Sequence, residues 1–264
     1  MNGSGSVKEL FSTARAEGTL SPQSAHVLSV VDDGHIQEAL GISVDDVQAS
    51  EVVLVTMMPD DSGSIRFAGN AEAVRDGHNL VLSALGESKQ RDSLLVHTRY
   101  LNGFVLSPYA PLDRAVKLDR SNYDPSLGTP LYDQSVVLLA TVLAKSQEFI
   151  NAGVDVRTVT LIITDGADTG GRYSAGDVKK LVDDMLKRER HIVAAMGVDD
   201  GNGTDFRQVF SEMGVRDEWI LTPGKTPSEI RKAFQVFSQS AFRASQSAGS
   251  FSQTAAQGLG GFGS

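Results

Sequence analysis

Two acidic turns stand directly after the two most apolar stretches of the sequence. Asp60-Asp61-Ser62-Gly63-Ser64 follows the run VVLVTMM at 52–58, and Thr164-Asp165-Gly166-Ala167-Asp168 follows RTVTLIIT at 157–164. Ser62 and Ser64 occupy alternate positions of one turn, so both hydroxyls can point the same way, and Gly63 lets the backbone bend between them. In an open α/β sheet, ligands sit beyond the carboxyl ends of the strands where strand order reverses. If these two strands flank that point, Asp60 and Asp165 face each other across the crevice. Two carboxylates with two or three hydroxyls form a set of hard oxygen donors, which suits Mg2+ or Mn2+ far better than zinc or copper. The chain has no cysteine, which excludes cysteine-bound zinc, a thiol nucleophile and a disulfide framework.

The elements around these turns alternate. Short apolar runs at 52–58, 157–164 and 191–198 read as strands buried on both faces of a parallel sheet. Segments 93–100 and 103–106 read as two strands split by Asn102-Gly103, a hairpin signal. Stretch 107–128, rich in Pro, Asp and Ser, reads as an irregular loop. Helical patterns cover 70–86, with Gly77 beside its apolar face, and 131–150. Over 175–190 the residues Val178, Leu181, Val182, Met185 and Leu186 recur at helical spacing, and Ser174 with Asp177 can open that helix. Further helices are expected at 205–213 and from 227 to 240, with a short strand at 219–221; Thr226-Pro227-Ser228-Glu229 is a helix start. Strands alternating with helices imply a Rossmann-like, doubly wound α/β layer with a mostly parallel sheet.

Three regions are expected: a helical extension over 1–50, the α/β domain over 51–240 and a disordered tail over 241–264. The extension holds Phe11, His26, Val27, Val30 and Leu40 as a small helical cap. The tail is dominated by Ser, Gly, Ala and Gln, which bury too little to offset ordering entropy. Net charge is −9 over 264 residues, so binding to nucleic acid or an anionic membrane is not expected. No run approaches the ~18 apolar residues of a membrane span. MNGSGSVKEL carries no apolar signal core, and a cytoplasmic location is expected.

Asp60-x-Ser62-x-Ser64 after an apolar strand resembles the metal-ion-dependent adhesion site (MIDAS) of von Willebrand factor A domains. Leu127-Gly128-Thr129-Pro130-Leu131-Tyr132-Asp133 looks like the family's threonine segment as it occurs in bacterial members, and Leu161-Ile162-Ile163-Thr164-Asp165-Gly166 matches its final aspartate. The resemblance covers about residues 50–237. It implies that Ser62 and Ser64 bind the metal directly, that Thr129 binds directly or through water, and that Asp60 and Asp165 act through water or through hydrogen bonds to the liganding hydroxyls. The implied ion is Mg2+, with Mn2+ or Ca2+ as alternatives. Neutral ligands leave the ion's charge uncompensated, so an Asp or Glu of a partner protein can complete the shell. Loop 107–128, with Tyr109, Asp119, Tyr123 and Asp124, is expected to contribute to the rim that selects this partner. In bacterial relatives the partner is often a MoxR-type AAA+ ATPase or a member of a stress or signalling assembly.

Duller roles exist for the same residues. Asp60 and Asp61 can be turn formers, Ser62 or Ser64 a helix cap, and Thr129 a cap before Pro130. Asp61 and Asp168 read as solvent-facing rim residues. Asp199 to Asp205 resembles a calcium loop but lacks the glycine register and terminal Glu, and reads as a loop ending in a helix cap. The five histidines are scattered, and no metalloprotease, nucleophile-elbow, phosphate-loop or dinucleotide fingerprint is present. The expected protein is therefore a non-catalytic binding module. The alternatives are an Mg2+-dependent phosphohydrolase using Asp60 and a metal-free scaffold on the same fold.

Overall fold

The computed structural model describes residues 6–199, 201 and 203–246. Three short helices come first: α1 (Val7–Ala16), α2 (Pro22–Leu28) and α3 (Asp33–Leu40). Then β1 (Glu51–Met58), α4 (Gly63–Phe67), α5 (Ala71–Gly86), β2 (Leu94–Arg99) and β3 (Val105–Pro111) follow. The second half holds α6 (Leu131–Asn151), β4 (Asp155–Thr164), α7 (Ala175–Leu186), β5 (His191–Gly197), α8 (Phe206–Glu212), β6 (Ile220–Leu221) and α9 (Pro227–Gln246). The six strands form one sheet in the order β3-β2-β1-β4-β5-β6. Only the β2–β3 pair is antiparallel. This is the doubly wound α/β arrangement expected from the alternation of elements.

The order in which the chain adds strands reverses between β1 and β4. From β1 the chain crosses to β2 on one side, and after β3 and α6 it returns as β4 on the other. Register fixes what meets there. Met58 lies opposite Ile162, so continuing the ladder by two residues sets Asp60 beside Thr164. Alternation along β1 divides its side chains between two layers. Val52 and Leu54 pack with Phe149 of α6, while Val53, Val55 and Met57 join the larger core. Helices α5 and α9 pack on one another, and α6 and α7 carry the N-terminal helices. Gly77 is what allows the first of these contacts: a Cβ there would lie 2.0 Å from the ring of Phe234.

Local signals explain most element ends. Ser174 and Asp177 form a reciprocal capping box at the start of α7. Glu229 N–H donates to Thr226 Oγ1 at 3.3 Å, and Thr226 Oγ1 donates back to Glu229 at 2.6 Å. Four departures from expectation have physical causes. Strand β3 runs on to Pro111, into the stretch read as loop; it is an edge strand, where proline's missing N–H is tolerated. Helix α7 stops at Leu186, short of 190, and the chain turns through Glu189 at φ 23°. Helix α9 continues through 241–246, because Phe237 and Ala241 extend its buried face past residue 240. The remaining tail, 247–264, lies outside the described residues. In the N-terminal helices Phe11, Val27 and Leu40 join the same continuous core as the sheet, while His26 and Val30, expected in the cap with them, are exposed. Ser24 Oγ donates to Lys180 O on α7 at 3.0 Å, and Ser21 N–H donates to Asp184 at 2.7 Å. No helix among the described residues is long and apolar enough to cross a membrane.

Candidate metal centre

Three loops meet above the carboxyl ends of β1 and β4. The first is the turn 59–64. Ser62 starts α4, yet its hydroxyl makes no cap hydrogen bond to that helix. It donates instead to Asp165 Oδ1 at 3.1 Å, and Ser64 Oγ donates to the same oxygen at 2.8 Å. The two hydroxyl oxygens stand 2.9 Å apart. Three oxygens from the ends of two neighbouring strands are thus within contact of each other. Gly63, between the serines, donates its N–H to Leu127 O at 3.0 Å, and Ser62 bridges Leu127 in parallel fashion.

Asp60 has a different task. Its Oδ1 accepts the Ser62 N–H at 2.7 Å, while Oδ2 accepts Thr164 Oγ1 at 2.8 Å and the Asp165 N–H at 3.1 Å. It is wholly buried. Asp60 therefore shapes the turn that presents Ser62 and fastens it to the end of β4. Thr164 takes a part that the sequence did not suggest; its signal was its position directly before Asp165.

Thr129 approaches from the third loop. It is 5% exposed, and its hydroxyl lies 3.9 Å from where a Cβ on Gly166 would stand. Its carbonyl accepts the Thr169 N–H at 3.0 Å, and Asp168 Oδ1 accepts the Tyr132 N–H at 3.1 Å. Asp133 accepts the N–H groups of Arg172 and Tyr173 at 3.1 and 2.8 Å. The threonine loop and the aspartate loop are thereby held as one unit. Helix α6 begins at Leu131 after Pro130, so Thr129 is one residue outside its cap. Asp60, Ser62, Ser64, Thr129 and Asp165 are all brought to this one place.

The expected rim is brought together less completely. Tyr109 is buried in β3, with its hydroxyl 2.5 Å from Thr56 Oγ1 and its ring 5.2 Å from His97. Tyr123 is also buried, beneath the site, and its hydroxyl donates to the Asp60 carbonyl. Neither side chain can touch a partner at the surface. Asp119 turns inward on its own loop, accepting Ser121 Oγ at 2.6 Å and Ser121 N–H at 2.7 Å; these bonds hold its carboxyl below the usual range. Asp124 is exposed and faces Arg66 at 3.5 Å. Asp61, expected at the solvent, is 5% exposed. Asn102 on the hairpin turn covers it, donating its N–H at 3.1 Å and its side-chain amide to the Asp61 carboxylate. Asp168 keeps a half-buried place at the edge. Asp199 accepts the Gly201 N–H at 2.7 Å and Asp205 accepts that of Gln208 at 3.0 Å, a loop and a helix cap.

The electrostatics are those of concentrated negative charge. Burial raises the Asp60 carboxyl against the hydrogen bonds it receives. Burial, reinforced by the charge of Asp60, pushes Asp61 up to about 6. Burial and then the charges of Asp60, Asp61 and Asp165 push the Tyr123 phenol far up. Among the described residues, no lysine or arginine forms an ion pair with Asp60 or Asp61. No three His, Cys, Asp or Glu side chains converge among the described residues as a metal-binding group; the donors here are chiefly hydroxyls. Their spacing fits a small divalent cation. Around Mg2+, with oxygens at about 2.1 Å, neighbouring octahedral ligands lie about 3.0 Å apart, and the Ser62–Ser64 oxygen separation is 2.9 Å.

The sequence matches no family model. No curated protein matches it either. Solved structures do resemble it. The pilus adhesin SpaC from Lactobacillus rhamnosus GG, in its open conformation, has a TM-score of 0.50 at 14% identity, over 74% of this chain and 30% of the adhesin. Proximal thread matrix protein 1 from the mussel byssus, with a zinc occupied MIDAS motif, has a TM-score of 0.47 at 14% identity, over 74% and 47% of the two chains. Manganese-loaded TRAP protein of Plasmodium vivax has a TM-score of 0.42 at 17% identity, over 69% and 72%. This chain spans about a third of the adhesin's length. What it shares with the adhesin is the doubly wound α/β fold.

Proposed function

We propose that the chain is a non-catalytic protein-binding module, in which Ser62, Ser64 and Thr129, backed by Asp60 and Asp165, hold Mg2+ or Mn2+ for a carboxylate of a partner protein. One observation carries this reading: Ser62 Oγ, Ser64 Oγ and Asp165 Oδ1 lie 2.8 to 3.1 Å from one another at the switch point of the sheet. When bound, the ion supplies a coordination position to an oxygen from outside the chain. The residues of the chain favour that use. Neutral hydroxyls carry the contact, so much of the ion's charge is left for an incoming anion. Asp60 spends both oxygens on three donors of the chain. It orients the serine turn.

The same engagement argues against the phosphohydrolase reading. An attacking carboxylate needs a lone pair free to reach phosphorus and access for the substrate, whereas Asp60 is wholly buried. A MoxR-type AAA+ ATPase as partner rests on the sequence resemblance alone. The chemistry of the site asks only for an Asp or Glu on a protein surface.

Mn2+ titration of the full chain, followed by electron paramagnetic resonance, tests the metal reading. One ion is expected to bind, Mg2+ to compete for it, and Ser64→Ala to weaken it by about ten-fold or more. Wild-type and Ser64→Ala chains that bind Mn2+ equally would place the ion elsewhere, and chains that do not bind it at all would make the protein a metal-free scaffold.

A further inference from the structure

The three most exposed large apolar side chains among the described residues are Phe67 at 84%, Phe104 at 62% and Leu127 at 54%. Phe67 and Leu127 stand directly against the 59–64 turn, and Phe104 is joined to it through Asn102. Leu127 bridges Ser62 and receives the Gly63 N–H on its carbonyl at 3.0 Å. The Phe67 ring lies over Gly63, 3.4 Å from where a Cβ on that residue would be. Phe104 sits on the hairpin turn, its N–H donating at 2.9 Å to Asn102, whose own N–H donates to Asp61 at 3.1 Å. Its ring stacks on Tyr100 at 5.9 Å, Tyr100 packs on Tyr123 at 5.6 Å, and Tyr123 holds the Asp60 carbonyl. The next most exposed large apolar residue, Val30, reaches only 40%.

Exposed aromatic rings have no role in the core, and leaving them in water is unfavourable. Helix α4 is only five residues long and already buries Ile65, so Phe67 adds nothing to its packing. Beside the rings lies a cation: the Arg66 guanidinium stands 5.6 Å above the Phe67 ring and pairs with exposed Asp124 at 3.5 Å. Such a surface pair is weak and easily exchanged for another carboxylate. Apolar groups thus flank a polar centre, with a guanidinium at the edge.

We propose that Phe67, Phe104 and Leu127 form an apolar collar that selects a partner segment in which a Glu or Asp is flanked by bulky apolar side chains, with Arg66 adding attraction for the acid. This rests on the metal reading above, because these residues adjoin the turn that bears Ser62 and Ser64. Charge argues for a foreign partner over a second copy: each chain carries a net charge of −9, so two copies repel one another. A metal gives the centre affinity for any carboxylate. The collar decides which carboxylates stay, since apolar contact slows departure without requiring charge.

Three blocked, fluorescein-labelled peptides test this with the full chain: Gly-Gly-Glu-Gly-Gly, Gly-Leu-Glu-Phe-Gly and Gly-Leu-Gln-Phe-Gly. Anisotropy is measured in Mn2+ and in EDTA. The Leu-Glu-Phe peptide is expected to bind about ten-fold more tightly than the glycine-flanked one in Mn2+, and the Gln peptide and the EDTA arm to lose binding. Phe67→Ser and Phe104→Ser should each bring that preference down to about three-fold or less, with Mn2+ affinity unchanged by paramagnetic titration. A preference that is absent in the wild type, or that survives in both variants and in Leu127→Ser, overturns the collar while leaving the metal reading intact. Failure to bind Mn2+ overturns both. A Mn2+-dependent dimer in sedimentation, dissolved by Phe67→Ser, assigns the collar to a second copy and also overturns the proposal.

Discussion

The carboxylate of Asp60 receives the main-chain N–H of Asp165 at 3.1 Å, so the acid that follows β1 clamps the acid that follows β4. With Ser62 N–H and Thr164 Oγ1 on the same carboxylate, Asp60 satisfies three buried donors. Asp60→Ala strands all of them away from water, and each unsatisfied group costs about 1–3 kcal/mol. We expect a loss of about 3 kcal/mol or more, partly offset by removal of a buried charge. Asp60→Asn keeps one acceptor and should lose less. Urea unfolding in EDTA measures both; an alanine variant as stable as the asparagine one contradicts the clamp.

A metal that binds only the folded chain stabilises it by mass action. At a free Mn2+ concentration about 100 times its dissociation constant, the gain is about 2.7 kcal/mol. Thermal unfolding of the wild type should therefore rise with added Mn2+ and fall back with EDTA, while Ser64→Ala should show little of either. Equal shifts in both chains would place the ion elsewhere.

Much of this was legible beforehand because the signals are local. An apolar run ending in Asp-x-Ser-x-Ser has one strand and one turn to make, and β1 and the 59–64 turn make them. Ser174 and Thr226 cap helices with partners three residues away. What stayed hidden depends on contacts distant in sequence. Asp61 is buried because Asn102, 41 residues later, folds over it. Tyr123, in a polar stretch, is buried because its hydroxyl reaches Asp60 across 63 residues. Tyr109 was read as loop because Pro108 and Pro111 flank it, yet both are tolerated in an edge strand. Phe67 carried a usable signal, a large ring in the short stretch Ile65-Arg66-Phe67-Ala68-Gly69 between the acidic turn and the next helix, with no periodic partner.

The contact of α5 with α9 rests on a missing side chain. A Cβ at Gly77 would lie 2.0 Å from Phe234, a buried ring that cannot swing into solvent. Gly77→Ala is expected to destabilise by about 1–3 kcal/mol through overpacking, despite alanine's better helix propensity. Phe234→Ala alone should cost about 3–5 kcal/mol. Combined, the two changes should cost clearly less than their sum, since the methyl enters the space the ring leaves. Additive losses in denaturant unfolding would mean that the two residues do not meet.

His97 gives the fold a pH dependence of known sign. It is wholly buried, its Nδ1 lies 2.7 Å from Ser107 O, and burial, opposed by that hydrogen bond and aided by the charge of Arg99, brings its pKa from 6.5 down to about 3. A lowered histidine stays neutral in the folded chain while the unfolded chain takes up a proton below 6.5, so stability falls as pH drops from 6.5 toward 3. For this one residue the loss between pH 7.5 and 5.5 is about 1.4 kcal/mol. His78 and His191, each lowered to about 4 mainly by burial, act in the same direction. Asp61, raised to about 6, opposes them: the folded chain accepts its proton before the unfolded one does. The His97 share is isolated by comparing wild type with His97→Gln in EDTA at the two pH values. The stability difference between the two chains should shrink by that amount on acidification, and a difference independent of pH would show that His97 takes up its proton as readily in the folded chain as in the unfolded one.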